Sequence, residues 1–248
     1  MRIKQYSSAP LLSKKNTTER LRPRPVFIRY LLGYLATFIV SVLTKTKVGG
    51  RENIPKEGPF IITTNHFSYV DPVFVIHAVR KPISFLAASD QRIKWYFMWA
   101  PLIYGFIPTN RKTLAPSTIK HATRALKGNE ILGIFPEGTS TSSTLRPAKN
   151  GAAYLSALTE SRMLPIGIFG LENVWKQLFR GVRPKVTINI GRPYGPFLLP
   201  KNRKKREESL LETGNEAMCR IAVLLPKEQH GVFTSNPKVT EFYGGVDF

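Results

Sequence analysis

The sequence predicts an α/β fold: a central, mostly parallel sheet flanked by helices and preceded by an N-terminal membrane-associated helix. Three observations point there. Short β-rich runs alternate with helical stretches from Lys47 onward. A charge-free apolar run, Tyr30 to Leu43, precedes them. The chain has 248 residues, 42% of them hydrophobic, which suffices for the core of one ordinary domain. The organisation that follows is a basic arm (1–29), the apolar helix (30–45), one main domain (46–230) and a weakly patterned tail (231–248).

Each element has its own signal. The arm holds eight Lys/Arg against Glu19, and Pro23 and Pro25 break any helix in it. The fourteen residues YLLGYLATFIVSVL fall short of the ~20 needed for a full span. Basic residues flank the run on both sides, and Tyr30, Tyr34 and Phe38 suit an interface. It therefore reads either as a helix partly embedded in one leaflet or as a buried core helix. Strands are expected at Phe60–Thr63, Ile83–Ala87, Gly105–Pro108, Ile131–Phe135, Leu164–Ile168 and Lys185–Ile190. Helices are expected near Pro72–Val79, Gln91–Trp99, Pro116–Lys127 and Gly151–Glu160. Lys201–Arg206 (KNRKKR) reads as a basic loop ahead of a last helix near Glu208–Leu224.

Composition excludes several classes. A mean hydropathy of -0.14 leaves too little apolar sequence for a multi-span channel. One cysteine, Cys219, excludes an internal disulfide framework, and His66, His77, His121 and His230 lack ligand spacing, so no metal site is expected. Lys and Arg number 37 against 16 Asp and Glu, a net charge of +21. That charge suits a polyanionic partner, whether nucleic acid, an anionic lipid surface or a phosphorylated substrate.

In an α/β sheet, functional groups gather just past the C-terminal ends of the strands. The first such loop reads Asn65-His66-Phe67-Ser68-Tyr69-Val70-Asp71-Pro72. A tight turn there brings Asp71 back to His66, the carboxylate–imidazole pair of a general base. Equally, Asp71 and Pro72 read as an ordinary helix start. The second loop, Thr109-Asn110-Arg111-Lys112, is either a phosphate clamp or a solvated basic turn. The third, Pro136-Glu137-Gly138-Thr139 and the hydroxyl-rich run behind it, brackets a carboxylate between proline and glycine and can turn backbone N–H groups toward an anion. It matches neither a nucleotide P-loop nor a serine-hydrolase elbow. Pro165, inside an apolar run, points to an edge strand or a bulge.

Together these blocks resemble the glycerolipid acyltransferase family, the lysophosphatidic acid acyltransferases and their relatives. The family's NHxSxxD block matches Asn65–Asp71, and its Gly-x-Ile-x-x-x-Arg block matches Gly105–Arg111. Phe-Pro-Glu-Gly-Thr matches Phe135–Thr139, and a proline in an apolar strand matches Leu164-Pro165-Ile166. The resemblance covers the middle half of the chain. It implies acyl transfer from acyl-CoA or an acyl carrier protein to a lysophospholipid hydroxyl, with no cofactor beyond that co-substrate. His66 would be the base and Asp71 its partner. Asn65, Ser68, Arg111, Glu137, Gly138 and Thr139 would bind or shape the acceptor. Two departures bear on the acceptor: Ser140 stands where many members carry Arg, a role open to Arg146 or Lys149, and Asn110 stands where Asp is common.

The implied partners are anionic membrane lipids, the acyl donor and the lysophospholipid. The implied location is a membrane surface, by a monotopic or single-helix anchor, with the site facing the cytoplasm. The rivals are the same chemistry on another acceptor (glycerol 3-phosphate or another lysolipid) and an inactive lipid-binding protein. A nucleic-acid module is the third, and it explains none of the four loops.

Overall fold

The computed structural model describes residues 23–88, 103–109, 115–138 and 142–243. The helix expected at Gln91–Trp99 lies outside them, as does most of the basic arm.

Strands β1 (Lys45–Gly49), β2 (Phe60–Thr64), β3 (Ile83–Ala88), β4 (Ile107–Thr109), β5 (Ile131–Ile134), β6 (Arg162–Phe169) and β7 (Lys185–Ile190) form one sheet in the order β1-β7-β6-β2-β5-β3-β4. Every neighbouring pair is parallel except β6 and β7. Strands β2 to β6 therefore point their C-terminal ends to one edge of the sheet, and β7 and β1 begin at that edge. The central strands are buried on both faces, which explains their near-continuous apolar sequences.

Helices α1 (Val26–Leu43), α2 (Asp71–Val79) and α5 (Val174–Phe179) cover one face, where Val40, Phe74, Val75, Val174 and Ile62 share a core. Helices α3 (Pro116–Lys127), α4 (Gly151–Thr159) and α6 (Arg203–Ala222) cover the other, with Ala122, Leu155, Ala217 and Ile61 in a second core.

Several expectations change. Helix α1 starts at Val26, not Tyr30, and so contains Arg29. The charge is tolerated because it is paired, not solvated. Arg29 Nη1 donates to Ser84 Oγ at 2.9 Å and Nη2 to Glu130 Oε2 at 2.9 Å, and Ser84 Oγ donates to the same oxygen at 2.6 Å. These groups lie at the starts of β3 and β5, so α1 runs from the back edge of the sheet to its C-terminal edge. There it ends on a distant cap: Arg183 Nη2 donates to the carbonyls of Ser41 and Thr44. The buried-helix reading fails, since only Arg29 and Val40 are buried in α1 while Phe27, Leu31, Tyr34, Leu35 and Phe38 are exposed.

Strand β1 was not expected, because KTKVG carries no apolar run. As an edge strand it turns Lys45 and Lys47 outward, a pattern that also blocks edge-to-edge pairing. The KNRKKR stretch is not a loop beyond Asn202. Asn202 caps α6 by accepting from Lys205 N at 3.2 Å, and Arg203–Arg206 form the first helical turns, where Lys and Arg are good helix formers.

Pro165 sits in β6, a central strand and not an edge. Its missing donor falls at a break in the β6–β7 ladder, between the Ile166–Ile190 and Met163–Tyr194 pairs. The tail also packs. Phe233 and Val239 of helix α7 (Pro237–Tyr243) and its lead-in turn are buried with Leu145, Met218 and Cys219. Gly231 at φ 55° allows this approach, because a Cβ there would collide with the Leu145 carbonyl.

Candidate active site

The chain leaves β2 through α2 on one face and leaves the adjacent β5 through α4 on the other. Their loops diverge and open a crevice at the C-terminal edge, the usual ligand position in such a sheet. His66 and Asp71 come from the first loop and Glu137 from the second.

The turn after β2 is tight enough to return Asp71 to His66. The backbone N–H of Asp71 donates to Ser68 O at 3.2 Å, and Asp71 then begins α2 with Pro72 behind it. Val70, not Asp71, is the N-cap of α2, and no side chain caps it; the Asp71 carboxylate turns back to the loop instead. Its Oδ2 accepts from Ser68 N at 2.8 Å and from His66 Nδ1 at 2.9 Å. The pair is asymmetric in exposure: 1% of the Asp71 side chain is accessible against 17% for His66. Burial pushes the Asp71 carboxyl above its ordinary range, opposed by the His66 ring and the amides of Ser68 and Phe67. With Nδ1 engaged, the imidazole keeps Nε2 for a proton from substrate. Phe135, the residue after β5, stacks on the His66 ring with centroids 4.1 Å apart.

Two further side chains hold the His66 peptide from opposite sides. Asn65 is fully buried; its Nδ2 donates to Ile168 O and its Oδ1 accepts from Ile168 N, both at 2.8 Å. It extends the β2–β6 ladder by one side-chain rung, and its amide is committed to the backbone. Glu137 closes the β5 side: Oε1 accepts from His66 N at 3.0 Å and Oε2 from Arg146 N at 3.3 Å. Burial pushes the Glu137 carboxyl up to about 7, against the pull of those two amides and the Arg146 charge. Both side chains are therefore spent on backbone on either side of His66.

The remaining expected residues divide. Ser68 is present as a backbone donor to Asp71, and its hydroxyl oxygen lies 3.5 Å from Val70 N. Gly138 has φ 69° and passes directly under Lys149, whose Nζ would be 2.8 Å from a Cβ at that position. Lys149 is drawn in by its own N–H donating to Pro136 O at 2.8 Å. Lys149 and Arg146 thus both border the Glu137 loop. Arg111, Thr139, Asn110 and Ser140 lie outside the described residues. Sequence reasoning missed Phe135 as a wall of the site and Ile168 as the anchor of Asn65. An aromatic closing β5 just before Pro-Glu-Gly was the available signal for the first; the second is a backbone contact with no side-chain signature. Among the described residues no three His, Cys, Asp or Glu side chains converge on a point where a metal could sit.

Comparison with known proteins gives a consistent result. The acyltransferase family model matches residues 45–169, just over half of the chain. A Bacillus subtilis protein named 1-acyl-sn-glycerol-3-phosphate acyltransferase is 31% identical over 157 residues, covering 62% of this chain and 76% of its own. Proteins of the same name from Borreliella burgdorferi and Cocos nucifera are 29% and 30% identical, and the matches span 53% and 45% of their lengths. Among solved structures, the 1-acyl-sn-glycerophosphate (LPA) acyltransferase PlsC from Thermotoga maritima has a similar fold. Its TM-score is 0.56 at 21% identity, over 82% of this chain and 81% of that one. The matched segment runs from β1 to the end of β6 and contains the whole His66, Asp71 and Glu137 constellation, and the chain belongs to the acyltransferase family.

Proposed function

We propose that the protein moves a fatty acyl group from acyl-CoA or an acyl carrier protein thioester to the free hydroxyl of 1-acyl-sn-glycerol 3-phosphate, giving phosphatidic acid. The observation that carries this reading is the His66–Asp71 pair, held at 2.9 Å in the crevice with Nε2 unclaimed by Asp71. His66 Nε2 takes the acceptor's hydroxyl proton as its oxygen attacks the thioester carbonyl. A C–O bond forms and the carbonyl becomes a tetrahedral oxyanion, which collapses with cleavage of the C–S bond. The imidazolium then returns its proton to the departing thiolate. Asp71 orients the ring and offsets its transient charge, and no metal or further cofactor is called for.

The acceptor assignment is supported by the names of the relatives and by the cations bordering the Glu137 loop. In this reading Arg111 and Thr139 complete the phosphate site, with Arg146 and Lys149 compensating for Ser140. The exposed apolar face of α1, which is long and apolar enough to cross a membrane, suits a monotopic protein docked on the cytoplasmic leaflet, where its lipid acceptor resides. The departures at Asn110 and Ser140 favour a second reading, the same reaction on another acceptor.

Purified protein and His66→Ala would be given labelled palmitoyl-CoA or the labelled palmitoyl thioester of acyl carrier protein and, separately, lysophosphatidic acid, glycerol 3-phosphate and lysophosphatidylcholine. Labelled phosphatidic acid that disappears in the variant is the expected result. Transfer to a different acceptor would retain the mechanism and move the substrate; no transfer from either donor class would refute the enzyme reading. Arg111→Ala should weaken use of lysophosphatidic acid and leave a phosphate-free acceptor untouched.

A further inference from the structure

Helix α5 and the turn that joins it to β7 expose large apolar side chains where a water-facing hairpin would carry polar ones. Phe179 is 87% exposed, and Trp175 and Val182 are about half exposed. Residues 174–185 (VWKQLFRGVRPK) contain four cations, Lys176, Arg180, Arg183 and Lys185, and no carboxylate. Aromatic and aliphatic tips interleaved with Lys and Arg are the composition of a lipid–water interface.

The position matters as much as the composition. The inner residues of α5, Val174 and Leu178, pack into the same core as Val40 of α1, so α1 and α5 cover the same face of the sheet. Their junction is fixed by Arg183 on the Ser41 and Thr44 carbonyls and by Lys45 N donating to Pro184 O at 2.7 Å. Phe179 and Val182 are thus exposed on the segment tied to the end of α1 where Val42 and Leu43 are exposed as well, with the cations Lys45 and Arg183 at the junction. Both ends meet at the C-terminal edge of the sheet, because α5 follows β6 and α1 precedes β1.

We propose that α5 and the α5–β7 turn form a second lipid-contact element, tied to the C-terminal end of α1, that docks on an anionic bilayer surface through Trp175, Phe179 and Val182, with Lys176 and Arg180 on the headgroups. A single helix on a leaflet can roll about its own axis. A second contact beside its C-terminal end removes that freedom and holds the His66 crevice at the depth of the headgroups. This inference concerns binding and does not depend on the acceptor or on acyl transfer.

The test uses the full chain with an environment-sensitive fluorophore on Phe179→Cys; Cys219 is fully buried and serves as the unlabelled background. Ser117→Cys, exposed on α3 of the opposite face, is the control. Vesicles of phosphatidylglycerol and phosphatidylcholine should shift the Phe179 reporter to the blue and leave the Ser117 reporter unchanged. An unshifted Phe179 reporter on vesicle-bound protein would overturn the proposal. So would a shift that grows with protein concentration in the absence of lipid, which would put a second copy of the chain on this surface. The double variant Lys176→Ala/Arg180→Ala should bind the anionic vesicles about thirty-fold more weakly, at ~1 kcal/mol per cation near such a surface. Binding unchanged by that variant would also overturn it.

Discussion

Two segments of this protein are fastened to the same sheet by buried polar groups, and they are fastened for different ends. The loop after β2 is held through its backbone. Asn65 splices it to Ile168 and Glu137 to the β5 loop, while Asp71 takes the imidazole itself. Helix α1 is held by side-chain charge at its ends, Arg29 on Ser84 and Glu130 at one and Arg183 at the other, with an exposed apolar face between. The first arrangement specifies the position of one ring, the precision that proton transfer requires. The second specifies only that a helix with little buried surface stays on the sheet. Damage to the first should therefore appear in rate, and damage to the second in stability and membrane binding.

The largest effect should come from His66→Ala, which removes the proposed base and should lower kcat by about 10²–10⁴-fold. Stability should fall by only about 1 kcal/mol, because the buried Asp71 keeps the Ser68 N–H as a donor and can hold a proton in place of the imidazole; a loss larger than that of Glu130→Ala would mean that His66 is structural and would break the distinction. Glu130→Ala should do the reverse. It leaves Arg29 buried without its carboxylate and should cost about 2–3 kcal/mol, the lower end for a broken buried pair because Glu130 is 33% exposed. The activity of the protein that remains folded should be nearly intact.

Asn65→Asp sharpens the comparison from within the site. The new carboxylate faces the Ile168 carbonyl where an N–H stood, at a cost of about 1–3 kcal/mol for the unmade bond. Being one peptide from His66, it should lower kcat more than it raises KM. The reverse pattern would assign Asn65 to substrate instead.

Stability should also depend on pH through Glu137. Its carboxyl is pushed to about 7 in the folded protein from an ordinary value of 4.5. Between those values the folded state keeps a proton that the unfolded chain has released. Stability from this group is therefore greatest below about 4.5, falls as pH rises through the window, and levels off above about 7. Asp71, also raised, adds to the same direction. Thermal melts of Glu137→Gln across this window should show a shallower decline than the parent. The smallest effect is expected from Arg183→Ala. It uncaps the α1 carbonyls at a cost of about 1 kcal/mol and should show as faster amide exchange at Ser41–Thr44, with activity on a soluble short-chain acceptor unchanged.

Much of the sheet was legible because its central strands are apolar on both faces and end in turn residues. Phe60–Thr64 and Ile131–Ile134 are examples, read within a residue of where they lie. What escaped had no such pattern. Strand β1 is recognisable only once β7 lies beside it, and α5 at six residues is too short to show a helical period. In the site, the position of His66 and Asp71 after a strand made them candidates, but the spacing left an ordinary helix start equally open, and only the family resemblance singled them out as a pair. Asn65 and Glu137 were legible as residues but not as positioning groups, since their partners are the backbone of Ile168, His66 and Arg146.

The sequence by itself determined the alternation of strands and helices, the apolar run at the N-terminus and the order of the loops that carry the chemistry. Each is a local pattern, set by the side-chain period of the backbone and by turn residues. Only the tertiary structure decided that Arg29 belongs inside a helix, that Pro165 is tolerated in a central strand, and that the Asn65 and Glu137 side chains are spent on backbone. Those outcomes rest on groups far apart in the chain, and a buried charge, a missing donor or a buried amide is stable only when its distant partner is in place.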